Sequence, residues 1–430
     1  MSGSNLRKAI KLRHAVALYA SSVLGSGVLI LPGLASQIAG PASILSWILL
    51  SFASYPFAFT FASLSSRNPA SGGIYAFAKE AFGQHIATAT GWLFALWVIT
   101  GAPAVTLISA SYLGYAFPLS RSETLVIAFG TLLAAFLINY RGIVVSNKVQ
   151  LAVIGSIVGL LIVTILASSI FVKLQNFSPF LPAGGIIPVG TAAALIFWSY
   201  LGYENVPNVA EEFENPRRDF NRSILLSVLL ISGLYVSVAF VTIGTLAYRA
   251  GNSIAPFAAI LSHIVGGYGA AGTAILAVFI IFGTENAYMT GMSRVFYAVS
   301  RDGGFPRALD HVGEVSKVPD RALIALFGST IPVFIIYYFF NVNLETALLV
   351  PSGAAILVYV IGCASGLRIA WKEEITRKSR KLIVLSAVSL AISLIVLPFV
   401  GWLISFSLIV GISALVYSWR VGKQKQRYQV

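Results

Sequence analysis

The chain has 430 residues, of which 57% are hydrophobic and 10% are charged, and its formal net charge at pH 7 is +14. A soluble chain normally carries about 25% charged residues, so this composition excludes a water-soluble globule and predicts a surface that faces lipid. The single cysteine, Cys363, excludes an intramolecular disulfide and any cysteine-based metal site. Neither a cofactor nor a metal is predicted.

Apolar runs of about 20 residues recur along the chain, and each is long enough to cross a bilayer as a helix. They predict an all-α integral membrane protein with twelve transmembrane helices. In chain order the predicted spans are 15–36, 42–65, 86–115, 123–140, 149–172, 189–210, 223–247, 268–298, 322–340, 344–367, 382–398 and 400–419.

The positive charges divide unequally between the two faces that twelve spans create. With both termini on one face, all of the 29 Lys and Arg residues fall there except Arg121, Lys173 and Arg249. The positive-inside rule makes the crowded face cytoplasmic, together with the N- and C-termini. The net charge therefore indicates membrane topology, and no nucleic-acid partner is predicted.

Two of the predicted spans contain residues that interrupt helices. The first span has Gly25 and Gly27 around a serine and then Pro32, and the sixth has Gly202 and Pro207. Glycine and proline both weaken a helix, although each segment alone is equally consistent with packing glycines and a proline kink. Five spans separate the two segments. Because five is odd, a second copy of the unit enters the membrane from the opposite side, as in an inverted repeat.

Broken membrane helices present free backbone groups to a ligand. Exposed N–H groups at the start of a half-helix suit a carboxylate, and exposed C=O groups at the end of the other half suit an ammonium. An α-amino acid carries both charges at a fixed separation. Two such breaks are therefore expected to hold an amino acid without using a charged side chain.

The residues at both breaks resemble the signatures of a known group of transporters. Gly25–Val28 is similar to the GSG signature of the amino acid–polyamine–organocation (APC) superfamily. Phe197–Glu204, followed by residues 211–218, resembles the span-6 pattern of that superfamily. Residues 68–73 and 300–306 are similar to two further motifs of the superfamily.

The chain length and residues 91–94 (GWLF) look most like the YjeH-like branch of neutral amino acid exporters. The resemblance implies a LeuT-type fold within one transmembrane domain, residues 1–430, in which helices 1 and 6 are broken. It implies an inverted repeat of five plus five helices, at 14–172 and 187–370. Two peripheral helices follow at 380–419.

The same resemblance implies roles for residues at the breaks. The Ser26 hydroxyl and the Gly27 N–H would bind the substrate carboxylate. The main-chain carbonyls of Val23, Trp198 and Leu201 would accept hydrogen bonds from the ammonium. The residues expected to bind substrate are Val23, Gly25, Ser26, Gly27, Phe197, Trp198, Ser199, Tyr200, Leu201 and Gly202.

Aromatic residues are expected to close the pocket. The resemblance implies that Tyr200 or Trp198 forms an aromatic lid and that Tyr288, in the eighth span, is a gating aromatic. One departure concerns the fifth span, where proton-coupled relatives often place a lysine. Residues 153–156 contain no basic residue, and Lys148 lies near the predicted cytoplasmic end. Lysine-based coupling is therefore in doubt, and sodium coupling is not established either.

Two carboxylates fall deep within predicted spans, where a charge costs about 2.5–3.5 kcal/mol on insertion scales. Glu204 follows the second break and is interpreted either as a cap on the second half-helix or as a proton-linked gate. Glu285 lies in the eighth span. It is interpreted either as a protonated or Asn-paired packing residue or as a proton carrier or partner of the substrate ammonium.

These observations predict a secondary active amino acid transporter that works by alternating access. The expected substrates are neutral, apolar amino acids such as Leu, Ile, Val or Met, because the breaks contain no basic residue and the first contains no acid. Export and proton coupling are open alternatives. A carrier of cationic amino acids or polyamines is the second hypothesis within this class, since Glu285 could pair with a cation.

Hypotheses from other classes find less support in the sequence. A membrane enzyme would need a cluster of His, Cys or Asp side chains, and a scaffold or sensor would usually carry a soluble output domain. No GxxxxGK[ST] motif for ATP binding occurs. The expected partners are the amino acid and the lipid bilayer, with protons as the coupling ion left as an open alternative and no obligatory protein partner expected. The resemblance favours the plasma membrane as the location.

Overall fold

The computed structural model describes residues 8–67, 72–117, 119–249, 256–340, 342, 344–373 and 376–427. Sixteen α-helices occur in these residues, and an isolated β-bridge pairs Ile10 with Phe213. The motif predicted at residues 68–73 lies outside the described residues except for Gly72 and Gly73.

The helices are, in chain order, α1 (Leu12–Val23), α2 (Ser26–Ala39), α3 (Ser43–Arg67), α4 (Ile74–Phe82), α5 (Gln84–Ala116), α6 (Arg121–Tyr140), α7 (Ile143–Ser169), α8 (Ile187–Phe197), α9 (Asn205–Asn208), α10 (Pro216–Gly244), α11 (Pro256–Val265), α12 (Gly267–Arg301), α13 (Asp320–Phe339), α14 (Leu344–Lys372), α15 (Arg377–Val396) and α16 (Ile404–Arg427).

Ten segments in the described part of the chain are helical, long and apolar enough to cross a membrane. The chain is therefore a multi-pass membrane protein. The first of the ten, Gly27–Arg67, contains both α2 and α3. The spans predicted at 15–36 and 189–210 are not among the ten as single helices, because each is interrupted within its apolar run.

Several helices extend beyond the apolar runs that predict them. α7 begins at Ile143 and α10 at Pro216, several residues before the predicted spans, and α16 continues to Arg427. Only the part of a helix inside the bilayer core must be apolar, so polar turns can continue a helix into water. Hydropathy therefore locates spans more reliably than helix ends.

Two further helices are too short to span a bilayer, and the sequence analysis did not predict them. α4 runs for nine residues and α11 for ten. Both are amphipathic or apolar and pack against long helices, α4 against α5 and α14, and α11 against α12.

The long helices pack around α12 and α5. α12 lies against α5, α6, α7 and α1, and α10 lies against α3 and α1. α14 packs on α5 and α15, whereas α15 and α16 contact the bundle mainly through α14, α3 and α5. One continuous set of buried apolar side chains connects these elements. The interrupted segments lie inside this bundle, where neighbouring helices can satisfy the backbone groups that the breaks release.

Candidate functional site

The first interruption separates α1 from α2. α1 ends at Val23, Leu24 and Gly25 are not helical, and α2 begins at Ser26. Gly25 has φ −83° and ψ −133°, and no side chain caps the start of α2. The first N–H groups of α2 therefore lack helical partners, which makes them donors for an anion. The side chain of Ser26 lies outside the described residues.

The second interruption follows α8. A 3-10 turn covers Trp198–Tyr200, and a non-helical turn leads to the short helix α9. Gly202 has φ +125°, a conformation that a residue with a side chain rarely adopts. A Cβ there would also lie 2.9 Å from the Ser22 carbonyl oxygen. Glycine is thus required at this position for both its backbone angle and its contact with the first break.

The two interruptions touch each other. A Cβ added to Gly27 would lie 2.2 Å from Ser199 Oγ and 2.9 Å from Ser199 Cα. A Cβ added to Gly25 would lie 2.6 Å from Thr284 Oγ1 of α12. The Asn205 side chain of α9 donates to Ser22 Oγ at 3.2 Å. Small residues in the first break therefore allow the backbone of the second break to approach closely.

Tyr235 of α10 connects the two breaks. Its buried hydroxyl donates to the Val23 carbonyl oxygen, and the Ser199 carbonyl oxygen lies 3.0 Å away as a second acceptor. One hydroxyl has a single hydrogen, so it bonds to the two carbonyls alternately or shares its hydrogen between them. The Val23 carbonyl, predicted to receive the substrate ammonium, keeps a second lone pair.

A pocket of about 40 Å³ lies between the breaks, α5 and α12. Seven of the residues predicted for substrate binding or gating line it: Val23, Gly25, Gly27, Trp198, Leu201, Glu285 and Tyr288. An apolar cavity that holds benzene measures about 150 Å³. The pocket in this conformation therefore has room for a few water molecules and must widen to hold a large amino acid.

Other predicted residues lie at the breaks but outside the pocket lining. The Tyr200 hydroxyl bonds to Ser51 at 2.8 Å and to the Trp47 carbonyl at 3.2 Å, so its ring packs against α3. Phe197 packs edge-on against Phe57, also of α3. Of the two candidates for the aromatic lid, the structure thus places Trp198 at the pocket. The remaining predicted residues outside the lining are Ser199, Gly202 and Glu204.

The wall that α5 forms was not predicted from the sequence. Val98, Gly101, Ala102 and Val105 recur at the spacing of one helix face, and Trp97 borders them. This spacing was available in the sequence, but α5 is apolar on all sides and gives no sign of which face meets the pocket. Ser22 and Thr284 complete the lining.

Glu204 is fully buried directly after the second break. Its Oε2 accepts hydrogen bonds from the Gly202 N–H at 2.9 Å and from the Tyr359 hydroxyl, whereas Oε1 has no hydrogen-bond partner. The Tyr288 hydroxyl approaches the same carboxylate. The bond from Gly202 satisfies an N–H that the break releases, but Gly202 precedes α9 and the Glu204 side chain makes no cap bond to that helix, unlike the predicted cap. Its role as a proton-linked gate stays a prediction.

Glu285 differs from Glu204 in its surroundings. It lies on α12, is 2% exposed and lines the pocket, and its Oε2 has no hydrogen-bond partner. The neighbouring Asn286 points elsewhere, into a buried network with Asn139, Ser146 and Thr290. The Asn286 side chain therefore bonds to that network and does not form the predicted pair with Glu285.

Apolar contacts occupy the region where the fifth predicted span approaches α12. A Cβ added to Gly283 would lie 2.5 Å from Val153 Cγ1 of α7. Among the residues that the structure describes, no basic side chain lines the pocket. Within the described residues, no three His, Cys, Asp or Glu side chains gather in a way that could hold a metal ion.

A buried ion pair lies nine residues beyond Glu285 on α12, about 13 Å along the helix axis. Arg294 and Glu212 are 1% and 0% exposed, and Arg294 Nε donates to Glu212 Oε1 at 2.6 Å. The Glu212 carbonyl accepts hydrogen bonds from the N–H groups of Ala9 and Ile10. The segment before α1, the segment after α9 and α12 are thereby joined at one end of the bundle.

A second polar cluster lies at the same end of α12. Asp302 pairs with Lys79 at 2.7 Å and accepts a hydrogen bond from the Tyr75 hydroxyl at 2.7 Å. Burial, with a further contribution from Asp302, raises the pKa of Tyr75, so the phenol keeps its proton and remains a donor. α4, which carries Lys79 and Tyr75, is thus fixed to the end of α12.

The fold is a multi-pass helical bundle with a small internal pocket at two helix interruptions. These features are typical of membrane transporters with discontinuous helices. A sequence model of the amino acid permease family matches residues 10–419. The chain belongs to the amino acid permease family, within the APC superfamily that its motifs resemble.

Several curated proteins are similar to the chain over most of their length. The uncharacterized amino acid permease YecA of Bacillus subtilis is 34% identical over 86% of this chain and 87% of the relative. The L-methionine/branched-chain amino acid exporter YjeH of Escherichia coli is 28% identical, over 94% of this chain and 95% of the relative. The branched-chain amino acid permease BcaP of Bacillus subtilis is 27% identical, over 78% of each chain.

Proposed function

We propose that this permease is a secondary active transporter of neutral, apolar amino acids that works by alternating access. The observation that supports this most directly is the pocket itself, which lies where two interrupted helices meet. We further propose the LeuT-type arrangement, with twelve spans, repeats at 14–172 and 187–370, and peripheral helices at 380–419. Under this proposal the interrupted segments are spans 1 and 6, and the ten long apolar segments contain the other ten spans.

The backbone at the two breaks supplies the recognition of the amino acid. The first N–H groups of α2, including that of Gly27, bind the substrate carboxylate because they lack helical partners. The ammonium is assigned to the main-chain carbonyls of Val23, Trp198 and Leu201, three residues that line the pocket. The Ser26 hydroxyl is proposed as a further donor to the carboxylate.

The wall opposite the breaks favours an apolar side chain. Val98, Ala102 and Val105 of α5 present only carbon atoms to the pocket, and Trp198 adds an aromatic surface. Burying apolar surface against this wall contributes about 25 cal/mol per Å². The names of YjeH and BcaP, which specify methionine or branched-chain amino acids, agree with this choice of substrate.

Alternating access follows from the size and position of the pocket. At about 40 Å³ the pocket is too narrow for leucine, so the helices that line it must separate to load the substrate. The ion pair of Arg294 with Glu212 joins three segments about 13 Å away along α12. We assign this pair, with Lys79 and Asp302, to the gate on the predicted cytoplasmic side, which must open for release there.

The test is counterflow of labelled leucine in liposomes that contain the purified full-length protein. Unlabelled Leu, Ile, Val or Met inside should drive uptake of label, and this assay requires no knowledge of the coupling ion. Gly27→Val should abolish uptake, because a Cβ at Gly27 already lies 2.2 Å from Ser199 Oγ. Gly155→Val is the matched control, since nothing lies within 4 Å of a Cβ at Gly155. Exchange with none of these amino acids would refute the proposed substrate class.

A second candidate, transport of cationic amino acids or polyamines, is favoured by one observation. Glu285 places a carboxylate in the pocket without a basic partner in the lining. The same counterflow assay with labelled arginine or a polyamine decides between the two. Exchange of these cations without exchange of leucine would establish the second candidate.

A further inference from the structure

One ionisable side chain in the pocket has no compensating charge. In the described part of the chain, Glu285 is the only charged residue in the pocket lining, its Oε2 has no hydrogen-bond partner, and no ion pair includes it. Binding of a neutral amino acid by backbone groups alone gives the Glu285 carboxyl group no role.

The elements packed against α12 offer no counter-charge to Glu285. The titratable groups around the pocket are one further carboxylate and four phenols, Glu204, Tyr19, Tyr235, Tyr288 and Tyr359. The charged side chains on the other neighbouring helices are exposed or paired, as in Lys148, Arg121, Glu123, His263, Arg307, Asp320 and Arg321. Arg294, on α12 itself, is bound to Glu212.

An empty pocket therefore favours the protonated form of this carboxyl group. An ionised carboxylate that is removed from water and left without a partner is strongly disfavoured and takes up a proton instead. A cation in the pocket reverses this preference, because a close opposite charge stabilises the carboxylate. Glu285 lines the same pocket as Val23 and Leu201, whose carbonyls are proposed to bind the ammonium, so an ammonium bound there lies near the Glu285 side chain. The substrate of the proposed function carries such an ammonium.

We infer that Glu285 is the site at which a proton and the substrate ammonium compete, so that the transporter exchanges protons for amino acids. This inference rests on the proposed function, and it specifies the coupling of the same site. When the amino acid enters, its ammonium pairs with the ionised carboxylate, and the proton of Glu285 passes to water in the pocket opening. When the amino acid leaves on the other side, the carboxyl group takes up a proton there.

Mutual exclusion at one residue determines the direction of coupling. Each half of the transport cycle carries either one proton or one amino acid through the pocket, so a full cycle moves one of each in opposite directions. A proton gradient directed into the cell would therefore drive amino acid export. If substrate required the protonated carboxyl instead, the two would move together, and the sign of every pH effect would be reversed.

The first experiment measures protons on the unmodified protein. Saturating leucine is added to purified full-length protein in weakly buffered solution that contains a pH indicator. We expect release of about one proton per leucine bound when the solution pH lies below the range in which the empty site ionises. Absence of release, or proton uptake, would overturn the inference without relying on any variant.

The second experiment compares the pH dependence of leucine counterflow in variants. In the wild-type protein the apparent KM for leucine should rise as pH falls, with a limit of about tenfold per pH unit. Glu285→Gln should have a KM that does not depend on pH, and Glu285→Asp should keep the dependence. Glu123→Gln is the matched control and should behave as wild type, because Glu123 is exposed at the start of α6.

The outcomes separate the coupling inference from the proposed function. Leucine counterflow whose pH dependence is the same in wild type and Glu285→Gln would overturn the inference and leave amino acid transport intact. Absence of counterflow with every amino acid tested would overturn both. Loss of pH dependence in Glu285→Gln together with proton release by the wild type would support the exchange mechanism.

Discussion

A methyl group added at Gly27 tests the contact between the two helix breaks. The Cβ of Gly27→Ala would lie 2.2 Å from Ser199 Oγ, about 1.2 Å closer than the 3.4 Å at which ordinary contacts begin. Rotation of the Ser199 hydroxyl, which has no hydrogen-bond partner, can relieve that contact. It cannot relieve the contact with Ser199 Cα at 2.9 Å. The two breaks must therefore move apart.

The size of the effect follows from the cost of overpacking. Inserting a methyl group into a well-packed interior typically costs about 1–3 kcal/mol. If this cost falls on the conformation that binds substrate, the affinity for leucine decreases by about 5- to 150-fold. Ser199→Ala in the Gly27→Ala background removes only the Oγ contact, so it should restore part of the affinity but not all of it.

The assay is leucine counterflow in liposomes, with Gly155→Ala of α7 as the control. A Cβ at Gly155 has no neighbour within 4 Å, so this variant should match wild type. The apparent KM of Gly27→Ala is compared with that of the control at equal protein content. A KM within about twofold of the control would refute the close contact between the breaks.

Three further variants test separate parts of the site. Arg294→Ala should lower the free energy of unfolding by about 3–5 kcal/mol, and hence the melting temperature in detergent, because it leaves the Glu212 charge buried without its partner. Replacing both partners, as Arg294→Met with Glu212→Leu, should recover most of that stability. An unchanged melting temperature of Arg294→Ala would contradict the buried pair. Tyr235→Phe removes a bond worth about 0.5–1.5 kcal/mol and should raise the KM for leucine about 2- to 10-fold, so an unchanged KM would contradict its bridging role. Ala102→Leu fills the pocket of about 40 Å³, so it should abolish leucine counterflow while glycine counterflow persists. Equal loss of both would show that Ala102 does not set the size of the substrate that the pocket accepts.

Features that depend on local sequence were predicted well. Apolar runs locate the long helices, because a chain in lipid must bond its own backbone groups over about 20 residues. The interruptions fall at Gly25 and near Gly202, where residues that weaken helices are clustered. The family assignment also followed from short motifs at these places, and the match over residues 10–419 confirms it.

Side-chain directions at the pocket could not be read from the sequence. Trp198 and Tyr200 are two residues apart and both aromatic, yet only Trp198 lines the pocket. The 3-10 turn at residues 198–200 decides which ring points inward. Tyr235 was missed for a related reason, since its partners Val23 and Ser199 are distant in the sequence.

The sequence by itself determined where the long apolar helices lie and where two apolar runs are interrupted, because hydropathy and helix propensity act over a few neighbouring residues. The tertiary structure alone decided which face of α5 forms the pocket wall and that Glu285 lies in the pocket without a partner while Glu204 is hydrogen-bonded. Both carboxylates look alike in sequence, as acids in apolar runs. Their difference depends on which helices pack against them, and such packing brings together residues far apart in the chain.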